Sequence, residues 1–324
     1  MQELLFFKTT LEESLQSRRL EKEPKQLYAP IEYILSLGGK RLRPVLTLLT
    51  CDFFEGDYKK AMPAALAVEL FHNFSLIHDD IMDAAPLRRG KETVHKKWNV
   101  NTGILSGDAM LILAYQYFEA YEPNLFQELA KLFSKTAIEV CEGQQYDVDF
   151  ETRNDVSILE YLKMIEYKTA VLIGAAMKMG AIVAQTSEAN KEGIYDFGRN
   201  LGIAFQLQDD YLDAFGNPET FGKQPGGDIL ANKKTFLYLT ALKEAEEKEV
   251  QILKKLFQTK TESGIQKVEK VKTIFENSGA SKKIQLEIEK YTKMAFKNLE
   301  SIELSESKKE KLRLFATNLM QRDI

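Results

Sequence analysis

Cysteine, proline and glycine are all scarce in this chain of 324 residues, which has two, eight and eighteen of them respectively. Few prolines and glycines favour long uninterrupted helices over many short strands. Cys51 and Cys141 stand alone, without a CxxC spacing or a histidine cluster. A disulfide framework and a zinc site are therefore not expected, and we predict two buried thiols in a reducing compartment.

Long apolar runs and a strong net charge are also missing. No window approaches eighteen uninterrupted apolar residues, so no transmembrane helix is predicted. Residues 1–19 are amphipathic and lack the design of a signal peptide. The net charge of −4 provides no basic field for nucleic acid. These absences predict a cytoplasmic protein with no nucleic-acid partner and no transmembrane segment.

Helical spacing of apolar residues dominates what is there. It predicts helices at 2–18, 25–37, 45–54, 61–83, 104–121, 125–149, 157–185, 189–215, 234–247, 249–258, 262–278, 282–300 and 305–321. A basic loop is expected at 84–103 and a glycine-rich loop at 216–232, and the charged helices from 234 onward are expected to form an outer layer. Length alone would allow two domains. We predict one all-α domain over 1–324, a large helical bundle around a central cavity.

Two acidic triplets of the form Asp-Asp-x-x-Asp end otherwise apolar helical patterns. They are Asp79, Asp80 and Asp83, and, 130 positions later, Asp209, Asp210 and Asp213. Carboxylates four apart share one helix face and repel each other. One such triplet is usually a solvated face, but two of them among apolar residues indicate divalent cations. Oxygen ligands favour magnesium, so we expect a diphosphate held between two acidic walls.

Basic residues lie in the breaks and helix ends near these motifs. They are Lys40, Arg43, Arg88, Arg89, Lys168, Lys223 and Lys233. Each alone could be a surface cation, but their clustering suits phosphate recognition. His72, seven residues before Asp79, is either a core histidine or a contact to a second phosphate.

Together, these motifs resemble those of a known enzyme family. The chain resembles the trans-isoprenyl diphosphate synthases, also called polyprenyl synthetases, over about residues 38–235. The motifs are Gly39-Lys40-Arg41-Leu42-Arg43-Pro44, both acidic triplets, Arg88-Arg89-Gly90, Lys168-Thr169 and Phe205-Gln206-x-x-Asp209-Asp210. The resemblance implies an all-helical, usually homodimeric prenyltransferase. Its reaction would be the Mg²⁺-dependent head-to-tail condensation of isopentenyl diphosphate with dimethylallyl, geranyl or farnesyl diphosphate.

The same resemblance implies roles for individual residues, with three Mg²⁺ ions when diphosphate is bound. Asp79 and Asp83 match the first metal ligands, supported by Asp80, and Asp209 matches the ligand of a further ion, with Asp210 and Asp213. Arg88, Lys168 and Lys223 would hold the allylic diphosphate with Lys233 close by, and Lys40, Arg43, His72 and Arg89 would hold isopentenyl diphosphate. Lys168, Thr169 and Gln206 are the implied catalytic residues, and the last two fall where the family stabilises the allylic cation. The 216–232 loop is the candidate lid.

Product length is predicted from the turns that precede Asp79. Ser75, Phe74 and Phe71 lie about 6, 7.5 and 12 Å down the helix axis. A ring at Phe74 would narrow the channel early, whereas Ser75 leaves space; alternatively, both phenylalanines are simply core residues. This chain has one aromatic ring at positions 74 and 75 and no insertion in the first acidic motif. In both respects it resembles the geranylgeranyl diphosphate synthases of the family, and farnesyl diphosphate is the alternative product.

Three other classes share part of this pattern. Terpene cyclases normally have Asn, Ser or Thr with Glu in the second metal motif, and head-to-head synthases of the squalene type use Asp-x-x-x-Asp. A non-catalytic subunit of a heteromeric prenyltransferase usually lacks one motif. This chain keeps two full triplets, which favours the catalytic synthase.

Overall fold

The structure is a computed structural model that describes residues 2–18, 22–217, 226–258 and 264–320. Almost all of these residues are helical, which confirms the predicted all-α class. The elements, in chain order, are α1 (Gln2–Ser17), α2 (Lys25–Ser36), α3 (Leu42–Phe53), α4 (Tyr58–Met82), β1 (Leu87–Arg88), β2 (Lys91–Glu92), α5 (Val94–Lys97), α6 (Val100–Gln116), a 3₁₀ turn (Tyr117–Ala120), α7 (Pro123–Thr152), α8 (Ile158–Ile165), a π turn (Glu166–Ala170), α9 (Val171–Val183), α10 (Glu188–Phe215), α11 (Gly227–Leu230), α12 (Phe236–Glu244), α13 (Glu247–Gln258), α14 (Gly264–Asn277), α15 (Ala280–Ser301) and α16 (Glu306–Met320).

The chain divides into two compact units. Unit 1 comprises residues 1–134 and 175–191, and unit 2 comprises 135–174 and 192–324. Each unit has its own buried apolar residues. The first acidic triplet belongs to unit 1 and the second to unit 2. One domain around a central cavity stays a prediction.

Helix α4 is the central element of unit 1 and packs against α3 and α6. Pro63 lies inside it and cannot donate a backbone hydrogen bond. One turn of the helix is completed by the Tyr121 hydroxyl, which accepts from the Ala64 N–H at 3.1 Å and donates to the Lys60 carbonyl at 2.7 Å. Burial raises the pKa of this phenol, so it keeps its proton. A side chain thus inserts into the helical ladder at the proline and satisfies both backbone groups.

The core of unit 2 gathers apolar residues from α8, α10, α12, α14 and α15. Helix α12 packs against α8, α14 and α15. Its residues from Phe236 to Ala241 are all buried. The expectation that every helix beyond 234 belongs to an outer layer is therefore wrong for α12. The helix carries little charge, and its apolar residues occupy all sides, which is typical of a core helix.

The predicted helix at 157–185 is divided by the π turn Glu166–Ala170. The capping box of Ser157 and Glu160 begins α8 as a regular helix. A π turn adds one residue to a helical turn without ending the helix. The apolar pattern therefore continues through it, and the sequence does not indicate that the turn is there. Lys168 and Thr169 both lie inside this turn.

Three further findings concern local predictions. The 84–103 segment is not simply a loop, because it contains the hairpin β1–β2, the short helix α5 and the start of α6. Cys51 is buried as predicted, but Cys141 is exposed, which corrects that prediction. Within the described ranges, none of the helices combines the length and apolarity needed to cross a membrane.

Candidate active site

Three carboxylates crowd the C-terminal end of α4. Asp79 and Asp80 lie in the last turn and Asp83 is the C-cap residue, whose N–H donates to the Asp79 carbonyl at 2.9 Å. The negative end of a helix dipole disfavours acidic side chains, and neighbouring carboxylates repel one another. Asp79 is half-buried and Asp83 is exposed. A helix end that accumulates this much negative charge is suited to a cation.

Arg88 neutralises one of the three carboxylates. Its Nε and one terminal nitrogen donate to the two oxygens of Asp80, each at 2.8 Å, whereas Asp79 Oδ2 is 3.8 Å away. Asp80 is only 1% exposed. A bidentate guanidinium fork is the partner that a buried carboxylate requires. Asp80 is therefore the main partner of Arg88, and the Asp79 carboxylate lies at the edge of the same guanidinium.

The hairpin that carries Arg88 is closed by Arg89 and Gly90. Both have positive φ angles, +53° and +74°, as a two-residue type I′ turn requires. The turn directs the Arg89 guanidinium to the Gly38 carbonyl, to which it donates. A Cβ on Gly39 would lie 2.7 Å from that guanidinium, and the Gly39 φ of +131° is one that residues with a side chain rarely adopt, so glycine is favoured there. The turn thus brings Arg89 to the segment that precedes Lys40.

Arg43 and His72 meet within unit 1. A terminal nitrogen of Arg43 lies 3.4 Å from His72 Nε2, which accepts from the guanidinium. Burial, followed by the charges of Arg43, Arg89 and Arg88, holds the pKa of His72 well below its usual value. Burial also lowers the pKa of Arg43 to about 10. The structure therefore brings together the predicted contacts Arg43, His72 and Arg89, with a neutral imidazole among cations. Lys40 is exposed on the adjacent loop.

A buried ion pair, which the sequence analysis did not single out, fixes the loop that carries these cations. Arg41 has a left-handed φ of +51° and donates to Glu69 of α4 and to the Leu35 carbonyl. Glu69 is 1% exposed, and the Asn73 amide donates to it at 2.6 Å. The available signal was an acidic residue in the middle of an otherwise apolar helix.

We expect the depressed pKa of His72 to make stability pH-dependent. Below the unfolded value of about 6.5 the unfolded chain binds a proton that the folded chain excludes. Stability is then lost as pH falls, by about 1 kcal/mol between pH 6.5 and 5.5. The measurement is urea unfolding of the wild type and of His72→Gln at pH 7.5, 6.5 and 5.5. An equal pH dependence in both proteins would contradict a neutral buried His72.

The three residues proposed to set product length have different surroundings. Phe71 is 1% exposed, and its ring packs on Phe133 at 5.2 Å within a cluster that includes Phe118. Phe74 is 9% exposed and contacts the Phe71 ring at 5.6 Å. The half-buried Ser75 donates to the His72 carbonyl at 2.8 Å. Phe71 thus lies deep in the core of unit 1, and Phe74 lies at its edge.

The second acidic triplet lies in the last turns of α10, again at the negative end of a helix. The Asp228 N–H donates to Asp213 Oδ2 at 2.9 Å. Asp210 is 5% exposed, and the Tyr161 hydroxyl donates to its Oδ2. Burial and the charge of Asp228 raise the pKa of Asp210, and burial raises the pKa of Tyr161. The Asp210 carboxylate is thus hydrogen-bonded by another side chain of unit 2, as the Asp80 carboxylate is by Arg88 in unit 1.

Lys168 and Thr169 project from the π turn. Lys168 Nζ lies 2.6 Å from Asp147 Oδ2 of α7, a residue that the sequence analysis did not assign. Thr169 Oγ1 donates to Gln206 Oε1 at 3.2 Å. π turns often occur at functional sites, where they re-aim side chains. The turn brings all three predicted catalytic residues, Lys168, Thr169 and Gln206, into one contact region of unit 2.

Two consecutive lysines after the glycine-rich segment have different roles. Lys234 donates to the Phe150 and Glu151 carbonyls at 2.8 and 3.1 Å, and so caps the C-terminal end of α7. Lys233 is largely exposed, with Nζ 3.7 Å from Asp228 Oδ1. Lys223 lies outside the described residues, as do residues 218–225 of the 216–232 segment that the sequence predicts as a lid.

Comparison with known proteins decides the family. A family model described as "Polyprenyl synthetase" matches residues 24–277. The chain belongs to the polyprenyl synthetase family. A crystal structure of a geranylgeranyl pyrophosphate synthase matches this polyprenyl synthetase with a TM-score of 0.94 and 55% identity, covering 99% of each chain.

Two relatives at lower identity differ in their named products. A geranylgeranyl pyrophosphate synthase of Geoglobus acetivorans is 38% identical over 314 residues, 96% of this chain and 95% of that protein. A geranylfarnesyl diphosphate synthase of Natronomonas pharaonis is 39% identical over 239 residues, 68% of this chain and 70% of that protein. Family membership therefore identifies a prenyltransferase and leaves the chain length to the residues of each member.

The acidic residues fit the magnesium dependence of polyprenyl synthetases. Within the described ranges, no three His, Cys, Asp or Glu side chains converge into a closed metal cage. Magnesium usually takes one or two carboxylates and fills its octahedron with water and substrate phosphate. Asp79 with Asp83, and Asp209, offer such incomplete sets of hard oxygen ligands. Of the two middle residues, Asp80 is held by Arg88 and Asp210 by Tyr161.

Proposed function

We propose that this polyprenyl synthetase condenses isopentenyl diphosphate with allylic diphosphates, head to tail, to give all-trans geranylgeranyl diphosphate. The observation that carries the proposal is that Arg88 binds Asp80 bidentately and lies 3.8 Å from Asp79, so that a guanidinium stands beside the carboxylates of the first triplet. Carboxylates next to a guanidinium suit a metal-bound diphosphate. Farnesyl diphosphate is the alternative product.

The proposed roles of the cations are those that the family resemblance implies. Arg88, Lys168 and Lys223 bind the allylic diphosphate, with Lys233 nearby, and Lys40, Arg43, His72 and Arg89 bind isopentenyl diphosphate. Asp147 holds the Lys168 ammonium at 2.6 Å and so orients it before the diphosphate arrives. The neutral His72 donates a hydrogen bond to phosphate from the ring nitrogen that does not face Arg43.

The proposed chemistry is ionisation followed by attack. Asp79, Asp83 and Asp209 would hold Mg²⁺, three ions when diphosphate is bound, and the bound metal would neutralise the charge that the leaving diphosphate acquires. The cations listed above share that task, and the Thr169 hydroxyl and Gln206 carbonyl oxygens face the allylic carbon as its C–O bond breaks. The double bond of isopentenyl diphosphate forms the new C–C bond, and a proton passes to the departed diphosphate. Exclusion of water protects the cation.

The direct test supplies purified protein with isopentenyl diphosphate and, in separate reactions, dimethylallyl, geranyl or farnesyl diphosphate. We expect products ending at geranylgeranyl diphosphate from all three, and none when magnesium is chelated. Adding magnesium back to the chelated sample provides the control. If no allylic substrate is condensed, the enzyme assignment fails, and a non-catalytic subunit of a heteromeric prenyltransferase becomes the better hypothesis.

Phe74→Ala is expected to lengthen the product beyond geranylgeranyl diphosphate, because it removes the ring at the edge of the unit 1 core. Phe71→Ala is the matched variant: it removes a ring from the centre of the aromatic cluster and is expected to cost about 3–5 kcal/mol of stability. Product length is measured by chromatography after dephosphorylation. An unchanged product distribution in Phe74→Ala would show that another residue limits the chain.

We also propose that the protein is a cytoplasmic homodimer. Helix α6 exposes several large apolar side chains, namely Val100, Ile104, Leu105 and Ile112, at 46%, 40%, 60% and 60%. Large apolar side chains exposed along one helix support a protein interface. The molecular mass in solution tests the dimer.

A further inference from the structure

A hydrogen-bonded chain in unit 2 connects the second acidic triplet to the π turn. Tyr161 donates to Asp210 Oδ2, and the Gln206 side-chain nitrogen donates to Asp210 Oδ1 at 3.3 Å. The Gln206 side-chain oxygen in turn accepts from Thr169 at 3.2 Å. Tyr161 and Asp210 are 4% and 5% exposed. The four groups therefore form one continuous chain that starts in the core.

The chain gives Gln206 a defined orientation. A glutamine amide carries two donors at one end and an acceptor at the other, and a rotation of its terminal group exchanges them. The NH₂ end faces Asp210, so the carbonyl end is directed to Thr169. With the amide rotated, the partial positive charge of the NH₂ group would take the place of the carbonyl dipole beside Thr169. The orientation therefore matters for any reaction that develops positive charge there.

We propose that Tyr161 and Asp210 are positioning residues that orient the Gln206 amide with its carbonyl oxygen toward the reacting carbon. This assigns a role to Tyr161 and gives Asp210 the task of an orienting carboxylate instead of a metal ligand. The assignment rests on the proposed prenyltransferase function. The Tyr161 hydroxyl on α8 donates to Asp210 Oδ2, and Asp210 Oδ1 accepts from the Gln206 amide. The Asp210 carboxylate is thereby held at both oxygens.

The test is a double-mutant cycle with Tyr161→Phe, Gln206→Met and the double variant. Tyr161→Phe removes one hydroxyl and is expected to lower kcat roughly 10-fold or more, the size of a hydrogen bond to a carboxylate. KM for both substrates and the magnesium concentration at half-maximal rate should not change. If Tyr161 acts through Gln206, then Tyr161→Phe has no further effect on kcat in the Gln206→Met background.

Tyr238→Phe is the matched control, because Tyr238 is another buried tyrosine of unit 2, whose ring stacks on Phe257 at 4.1 Å. Its kcat is expected to equal that of the wild type. Multiplicative effects of the two substitutions on kcat, or a raised magnesium requirement in Tyr161→Phe, would overturn the positioning role.

The same four proteins separate this inference from the proposed function. A wild type that condenses no allylic substrate would overturn the proposed function. The connection between Tyr161 and Gln206 is measured independently of turnover, as their coupling in urea unfolding. Strictly additive effects on stability would overturn the hydrogen-bonded chain itself, whereas coupling of either sign supports it.

Discussion

Glu69→Ala is expected to destabilise the protein by about 3–5 kcal/mol, the usual cost of breaking a buried ion pair from one side. Arg41 is 7% exposed and Glu69 is 1% exposed, so the guanidinium left behind would have little access to water. Arg41 also has a left-handed backbone immediately before α3, between Lys40 and Arg43. Losing its partner should therefore loosen the whole cationic loop. Urea unfolding at neutral pH measures the effect.

Two variants make this prediction specific. Replacing both partners, Arg41→Met with Glu69→Leu, should recover most of the lost stability, because the cost comes from an unpaired buried charge. Asn73 keeps a partner in this double variant, since its amide also donates to the residue 69 carbonyl at 2.8 Å. Glu289→Ala removes the exposed pair with Lys293 and should change stability by less than about 0.5 kcal/mol. Equal losses in Glu69→Ala and Glu289→Ala would refute the importance of burial.

Helix positions were the part of the fold most accessible from the sequence. Scarce prolines and glycines punctuate the chain at real boundaries, so predicted helices such as 189–215 and 282–300 lie within two residues of α10 and α15. Apolar spacing reports which residues a helix buries, but it does not report hydrogen-bond registers. The π turn was missed for this reason. The hairpin β1–β2 was missed because two-residue strands are too short to show alternation.

The sequence predicted which residues belong to the candidate site, but it did not predict which partner each of them has. A triplet of aspartates looks uniform in sequence, whereas the structure shows that Arg88 holds Asp80 and Tyr161 holds Asp210. Tyr161 and Asp210 are 49 residues apart, and no local pattern connects them. Pairing between distant helices depends on packing, which is settled only when the whole unit folds.

Gly143→Ala is expected to reduce kcat by about 100-fold or more and to destabilise the protein by about 1–3 kcal/mol. Alanine in a helix interior is normally the more stable residue by up to about 1 kcal/mol. At this position a Cβ would lie 2.2 Å from the Lys168 backbone nitrogen and 2.7 Å from its Cα. Both are backbone atoms of the π turn, which cannot yield as a flexible side chain does. The added methyl group must therefore push the turn away from α7.

The displacement would separate groups that catalysis needs together. Asp147 lies one helical turn after Gly143 and holds Lys168 at 2.6 Å, so α7 both approaches the turn and orients its lysine. A shift of about 1 Å at a reacting centre can cost 100-fold in rate. The matched control is Gly193→Ala in α10, where the three atoms nearest to the new Cβ belong to the Ile302 and Ser301 side chains. We expect it to keep wild-type kcat, and if Gly143→Ala also keeps it, the close approach of α7 to the π turn is not required for the reaction.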